Sequence, residues 1–217
     1  MANQRKRKTG EAADRRRPDA ARPVVGLRII GGHFRGRKLQ YSGDLRTRPM
    51  KDRLREAIFN LVGPSIRGAH ALDLFAGTGA LALEALSRGA QRATLVEQHN
   101  PTARIIRQNI AELGLEEKAE VIVGNTFIWW TKHRAGQLAA LPCDKPWAVF
   151  CSPPYDFFVE RSAEMLELVA GLVEAAPAGS VLVVEADERF DFGQIVDSAA
   201  WDVRTYAPAV VGILRKE

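Results

Sequence analysis

The residues with the most chemical content lie in an apolar run that ends in a glycine-rich turn. Residues 72–81 read LDLFAGTGAL, and a helical pattern follows the second glycine. Gly77 and Gly79 allow a ligand to approach the backbone closely, and the first turn of a helix offers free N–H groups. Such a βα turn is typical of sites that bind nucleotide-like ligands.

Two acidic residues indicate which nucleotide-like ligand fits. Ala82 at the third glycine position is a tolerated variant of the dinucleotide fingerprint, so spacing alone leaves a dinucleotide open. Asp73 would repel a diphosphate, but its carboxylate suits the ammonium group at the amino-acid end of S-adenosylmethionine. Glu97 ends the next apolar run, where a carboxylate can accept both ribose hydroxyls. The acids favour S-adenosylmethionine; the alternative is a helix cap at Asp73 and a solvated loop charge at Glu97.

A second motif, Ser152-Pro153-Pro154-Tyr155, follows another buried apolar run. An exocyclic amine is a poor nucleophile because its lone pair is delocalised into the ring, so a loop must hold its nitrogen toward the methyl group. The prolines stiffen the loop, and Tyr155 offers an extruded base a stacking face worth about 1–3 kcal/mol. The two motifs together predict a methyltransferase that acts on an amino group of a base, with residues 152–155 as its catalytic loop.

Positive charge is concentrated near the N-terminus. Residues 1–67 carry 18 Lys and Arg against 6 Asp and Glu, whereas the net charge of the whole chain is only +5. A polyanion is therefore expected to contact this basic third. Residues 1–25 are expected to form a disordered basic tail, and residues 26–66 an RNA-facing extension. Its candidate RNA contacts, for which an ordinary solvated surface is the alternative, are Arg35, Arg37, Lys38, Arg48, Arg53 and Arg55.

Hydrophobic periodicity predicts the elements that position these residues. A hairpin over residues 27–39, with Gly31-Gly32 as turn or bulge, and a helix from Lys51 to Val62 precede the main domain, residues 67–217. There, strands alternate with helices and a hairpin ends the chain, which predicts an α/β, Rossmann-like, doubly wound and mostly parallel sheet with an antiparallel C-terminal edge. Strands are expected at 70–75, 92–97, 119–123, 147–151, 180–185, 201–207 and 209–214, and helices near 79–88, 100–113 (Asn100 as cap), 126–140 and 158–175.

The chain resembles the bacterial small-subunit ribosomal RNA guanine-N2 methyltransferases of the RsmD family. The resemblance spans residues 27–214 and rests on RIIGG and RGR within 28–37, TRP and REAIFN within 47–60, and DLFAGTG at 73–79. It implies a class I methyltransferase fold, S-adenosylmethionine as cofactor and one guanine of 16S rRNA, within an assembled small-subunit particle, as substrate. We expect a cytoplasmic monomer.

The resemblance also implies roles for individual residues. Asp73, Gly77 and Gly79 would hold the methionine end of the cofactor, Glu97 the ribose and Asn125 the adenine edge. The remaining expected cofactor contacts are Phe75, Ala76, Thr78 and Gln98.

Ser152 departs from the family pattern, because related enzymes carry Asp or Asn before the two prolines. A serine hydroxyl is shorter and uncharged, and one lost hydrogen bond to the reacting amine lowers the rate roughly 10- to 100-fold. Asp156 is a candidate substitute acceptor, and exchange of Ser152 for Asp or Asn is expected to raise turnover.

Other function classes remain open or are disfavoured. Ser152 leaves open a catalytically weakened or inactive cofactor-binding assembly factor; the short chain disfavours a DNA adenine-N6 methyltransferase. A methyltransferase that acts on cytosine C5 would need a nucleophilic cysteine after a proline. Cys151 instead precedes Pro153, so it is expected to pack as a small apolar residue and not to act as a nucleophile. Two cysteines and isolated histidines predict no disulfide framework and no metal site, and no apolar run reaches the roughly 20 residues of a membrane span.

Overall fold

The computed structural model describes residues 26–41, 43 and 49–217. Within them, a central sheet of seven strands has the order β3-β2-β1-β4-β5-β7-β6. The strands are β1 (His70–Asp73), β2 (Arg92–Glu97), β3 (Ala119–Val123), β4 (Trp147–Cys151), β5 (Val181–Asp187), β6 (Asp202–Tyr206) and β7 (Ala209–Arg215). The α-helices are α1 (Asp52–Val62), α2 (Ala80–Ser87), α3 (Asn100–Leu113), α4 (Thr126–Arg134), α5 (Phe157–Glu160) and α6 (Ser162–Ala175).

The sheet has the predicted doubly wound topology. Strands β1 to β5 are parallel, while β7 is antiparallel to both β5 and β6 at the C-terminal edge. Strand β1 pairs with β2 on one side and with β4 on the other, so the strand order reverses there. In open α/β sheets, ligands bind at the carboxyl ends of the strands beside such a reversal. The predicted Rossmann-like fold class is confirmed.

Alternating side chains divide the core between the two faces of the sheet. In β4, Ala148 and Phe150 belong to one buried cluster, and Val149 and Cys151 belong to the other. This alternation follows from the two-residue period of an extended strand. Helices α1, α2 and α3 cover the first face, and α4, α5 and α6 cover the second. Strands buried on both faces explain the continuous apolar runs in the sequence.

The expected N-terminal hairpin is present only in minimal form. Arg28 and Lys38 form an isolated antiparallel bridge, and the turn lies at residues 33–36, not at the two glycines. The backbone N–H groups of Ile30 and Gly31 donate instead to the carboxylate of Glu84, each at 2.7 Å. Because a buried acid of α2 takes these donors, regular strand pairing stops there. Residues 1–25, 42 and 44–48, including the expected tail and Arg48, lie outside the described residues.

Three helix boundaries differ from the sequence prediction. The cap of α3 is His99, and Asn100 is its first helical residue. The helix expected over 126–140 ends at Arg134, and the helix expected over 158–175 is divided at Arg161, which leaves the helical conformation with φ −127°. Strand β1 ends at Asp73, two residues before the predicted end, and β2 spans the predicted residues 92–97. The carboxyl ends of both strands therefore remain where the site needs them.

Candidate active site

A cavity of about 1020 Å³ lies at the carboxyl ends of the central strands. Gly77, Glu97, Ser152 and Glu185 reach it from four neighbouring strands, and α1 and the β6–β7 hairpin form its outer walls. Single-ligand pockets commonly measure about 300–1,000 Å³, so this volume can hold a cofactor together with part of a second molecule. A smaller hollow of about 260 Å³, beside His70 and Arg92, lies at the opposite end of the sheet and contains no motif residue.

The glycine turn has the conformation that its sequence predicts. Gly79 has φ +74°, in the left-handed region that favours glycine, and immediately precedes helix α2. A Cβ at this position would lie 3.0 Å from the Ile106 side chain. The turn therefore depends on glycine both for its backbone angle and for packing against α3.

Glu97 braces the turn from the end of β2. One of its carboxylate oxygens accepts the N–H of Gly77 at 2.8 Å, and the other accepts the N–H of His99 at 2.7 Å. Its side chain is largely buried yet lines the cavity. A carboxylate oxygen has two acceptor sites, so each oxygen of Glu97 can accept a further hydroxyl. The solvated-charge alternative for Glu97 is excluded by its burial.

Asp73 lies beneath the turn and does not line the cavity. Its Oδ2 accepts the N–H of Ala82 at 3.2 Å in the first turn of α2, as the capping alternative requires. Its Oδ1 is buried and lacks a hydrogen-bond partner among the described residues. The pKa of this carboxyl is raised from 3.8 to about 7, mainly by burial and to a smaller extent by repulsion from Glu97, against the opposing hydrogen bond from Ala82. A cationic group of a ligand would relieve this cost.

The predicted catalytic loop meets a carboxylate that the sequence reasoning missed. The hydroxyl of Ser152 donates to Oε2 of Glu185, and the hydroxyl of Tyr155 donates to Oε1 at 2.8 Å. Glu185 lies near the end of β5, is only 5% exposed and lines the cavity. Burial raises the pKa of Glu185, while the two hydroxyl bonds lower it. Asp156, the expected substitute acceptor, is instead paired with Arg189 at 2.8 Å.

An aromatic corner borders the other end of the cavity. The rings of Phe75, Phe127 and Phe157 lie about 6 Å apart, in edge-on or tilted arrangements, and all three line the cavity. Asn125 lies beside them and caps α4, because its Oδ1 accepts the N–H groups of Phe127 and Ile128 at 2.9 and 3.2 Å. The corner offers an apolar surface next to an amide side chain, which suits a flat heterocycle.

The structure brings most of the expected site residues together. Asp73, Ala76, Thr78 and Gly79 form or underlie the glycine turn without lining the cavity. The expected residues that line the cavity are Arg53, Phe75, Gly77, Glu97, Gln98, Asn125, Ser152, Pro153, Pro154 and Tyr155.

The candidate RNA contacts fall into two groups. Arg35, Arg37 and Lys38 are exposed on the N-terminal loop, and Arg53 is exposed at the cavity wall. Arg55 differs from the expectation, because its side chain is fully buried. Its guanidinium donates to the carbonyl of Arg28 at 2.6 Å and to Asp52 at 2.9 Å. The structure therefore gives Arg55 a role in holding the N-terminal loop against α1, and not in contacting RNA.

The structure also bears on a cysteine nucleophile, a metal site and a membrane span. Cys151 is buried, burial raises the pKa of its thiol, and its predicted packing role is confirmed. In the part of the chain that the structure describes, no three His, Cys, Asp or Glu side chains are grouped to hold a metal ion. Among the helices of that part, none combines the length and apolar character needed to cross a bilayer.

Comparison with known proteins places the chain among methyltransferases. Residues 27–207 match the family model described as Conserved hypothetical protein 95. A putative rRNA methyltransferase, YlbH of Bacillus subtilis, is 30% identical over 191 residues, or 88% of this chain and 99% of that protein. Ribosomal RNA small subunit methyltransferase D of Escherichia coli is 49% identical over 87 residues, or 40% of this chain and 44% of that protein. The solved structure of the putative methyltransferase yhhF from Escherichia coli has a TM-score of 0.70 at 29% identity, covering 88% of this chain and 98% of that one.

Proposed function

The chain belongs to the RsmD family of methyltransferases, whose model is described as Conserved hypothetical protein 95, and from this premise we propose that it methylates the N2 amine of a guanine in small-subunit (16S) ribosomal RNA. The main support for this proposal is that a single cavity is lined both by the glycine turn with Glu97 and by the loop at residues 152–155. The first set suits a nucleoside-type methyl donor, and the second suits an extruded base. Relatives named as rRNA methyltransferases support the choice of RNA.

S-adenosylmethionine is the methyl donor that these residues fit. The buried carboxylate of Asp73 beneath the glycine turn gives this end of the cavity a negative potential that suits an ammonium group, and the two oxygens of Glu97 suit ribose hydroxyls. The cap bond at Asn125 uses the side-chain oxygen, which leaves its amide N–H groups for the acceptor nitrogens of adenine. When bound, S-adenosylmethionine supplies an electrophilic methyl group on a sulfonium and is left as a neutral thioether.

The loop at residues 152–155 orients the base. Its two prolines fix the backbone between β4 and α5, and the ring of Tyr155 is tied through its hydroxyl to Glu185. A fixed aromatic face and fixed acceptors hold the amine in line with the methyl group, and such alignment supplies much of the catalysis in a transfer between two bound molecules. In the transfer, guanine N2 would gain the methyl group and release one proton to the solvent.

Residues 26–66 form the RNA-facing extension in this proposal. Glu84 anchors the loop through Ile30 and Gly31, and an ion pair with Arg88 at 2.7 Å holds Glu84 in turn. The anchored loop presents exposed cations, and Arg53 near the start of α1 lines the cavity. Phosphates of an assembled particle can therefore be bound while one base enters the cavity, with a single copy of the chain acting as the enzyme.

The test is transfer of labelled methyl groups to small-subunit particles that lack the modification. We expect the wild-type protein to label 16S rRNA in particles more efficiently than naked rRNA, and to leave DNA unlabelled. Tyr155→Ala should reduce turnover with nearly unchanged affinity for S-adenosylmethionine, because the ring contacts the base and not the cofactor. Binding of S-adenosylmethionine without transfer to particles, rRNA or DNA would contradict the enzymatic proposal and leave a cofactor-binding assembly factor.

A further inference from the structure

Glu185 is a buried carboxylate in the cavity wall, and it has no cation as a partner among the described residues. It follows Val184, which pairs with Cys151 of β4, so its side chain stands beside the start of the 152–155 loop. The carboxylate is largely buried and lines the cavity. None of the ion pairs formed by the described residues includes it. A buried carboxylate without a cation is costly, and such groups are concentrated at functional sites.

The hydrogen bonds of Glu185 leave it able to accept more. Ser152 and Tyr155 each donate one hydroxyl proton, one to each carboxylate oxygen. Each oxygen has a second acceptor site, so the group can receive two further donors side by side. The two hydroxyls fix the orientation of the carboxylate, and they offset part of the burial that raises its pKa. Ser152 therefore serves to hold a carboxylate, and the loop does not need an acid of its own.

The purine bases differ in what they present to such a group. Guanine places two donors side by side, N1–H and one N–H of the 2-amino group. Adenine places the N–H of its amino group beside N1, which is an acceptor and would face the carboxylate with a lone pair. We infer that Glu185 selects guanine by accepting N1–H and N2–H of the flipped base, and so orients N2 for methylation. This inference rests on the proposed function, because it assigns a residue to the base-binding half of that site.

The base 2-aminopurine separates this role from a simple brace for the loop. It keeps the 2-amino group but carries an acceptor at N1, so it should meet the carboxylate of Glu185 with one donor and one repelling lone pair. In particles reconstituted with 2-aminopurine at the methylated position, wild-type kcat/KM should fall roughly 10- to 100-fold relative to guanine, which is the effect of one lost hydrogen bond.

The variant Glu185→Gln should reverse this preference. An amide donates from nitrogen and accepts at oxygen, so it complements 2-aminopurine and mismatches the N1–H of guanine. For Glu185→Gln, we expect the ratio of kcat/KM for guanine over 2-aminopurine to fall at least tenfold relative to wild type. We also expect 2-aminopurine fluorescence to show that the variant binds the modified particle more tightly than wild type does. The matched control is Asp187→Asn, two residues along β5, where the carboxylate pairs with Arg189 and does not line the cavity. It should keep the wild-type ratio.

Three results would overturn the inference. Wild-type protein that uses both bases equally would show that Glu185 does not read N1–H. Glu185→Gln that lowers both rates by the same factor, with affinity for S-adenosylmethionine and melting temperature retained, would show a brace and leave the proposed function intact. Wild-type protein that methylates no guanine in particles would overturn the proposed function and this inference together.

Discussion

Asp73→Asn should make the free protein more stable at alkaline pH while it weakens cofactor binding. Burial raises the pKa of Asp73 from 3.8 to about 7, so the folded state holds this proton more tightly than the unfolded state does. The stabilising contribution of the protonated carboxyl is thus complete at pH values below 3.8. It is lost progressively as the pH rises through the window up to about 7.

The size of the effect follows from the two pKa values. A tenfold change in a proton equilibrium corresponds to about 1.4 kcal/mol, so ionising Asp73 in the folded protein costs on the order of 4 kcal/mol at pH 8. In Asp73→Asn, the amide oxygen can still accept the N–H of Ala82, and the charge is gone. The variant should therefore exceed wild type by up to about 4 kcal/mol at pH 8, and by much less below pH 5.

Urea denaturation at pH 8 and pH 5 measures the free energy of unfolding directly. Asp202→Asn is the control, because its half-exposed carboxylate pairs at the surface with Arg204. It should change stability little at either pH. Calorimetry completes the test: S-adenosylmethionine should bind wild type more weakly, by roughly tenfold for each pH unit below 7, and Asp73→Asn should lose that dependence together with affinity.

An equal loss of stability in Asp73→Asn at both pH values would refute this reasoning. It would show that Oδ1 of Asp73 accepts a hydrogen bond in solution, and that Asp73 acts only as a helix cap. The capping alternative would then account for the whole role of this residue.

Three further outcomes are expected at other sites. Glu97→Ala should weaken S-adenosylmethionine binding at least tenfold in calorimetry, because it removes the group that holds the glycine turn. Reversing Arg35 and Arg37 to Glu should weaken salt-sensitive RNA binding more than reversing Arg204 and Arg215, and equal effects would contradict the proposed RNA surface. Gly32→Ala should lower the melting temperature markedly, because its φ is +75° and a Cβ would lie 1.9 Å from a backbone carbonyl oxygen of α2.

The fold and the cofactor half of the site follow from local sequence signals. Strands buried on both faces appear as apolar runs, and the glycine turn marks where the first of them meets a helix. The role of Glu97 in the site could be predicted from its place at the end of β2, whereas its hydrogen bonds to two backbone N–H groups could not. Local patterns fix the strand ends, and the parallel topology brings those ends together.

The residues that sequence reasoning misplaced depend on partners distant in the chain. Arg55 looks like a solvated helix residue, but its partners include the carbonyl of Arg28, and a buried acid in α2 lies 4.0 Å away. Glu185 follows four apolar residues of β5, and an acid at the end of a buried strand was the signal that could have found it.

Glu185 also changes the expectation for Ser152. Ser152→Asp would place a second carboxylate beside Glu185, so turnover should fall with this variant. The sequence alone predicted that turnover would rise. Steady-state kinetics with particles as substrate distinguishes the two, and increased turnover in Ser152→Asp would favour an acid within the loop as the amine acceptor.

The identity of the methylated nucleoside tests the central claim most directly. After labelled methyl transfer to unmodified small-subunit particles, the 16S rRNA is digested to nucleosides, which are separated and identified by mass. The combination of a carboxylate, a stacking ring and a methyl-donor site predicts N2-methylguanosine as the labelled product, at one position. N6-methyladenosine, or any labelled nucleoside other than N2-methylguanosine, would contradict the account.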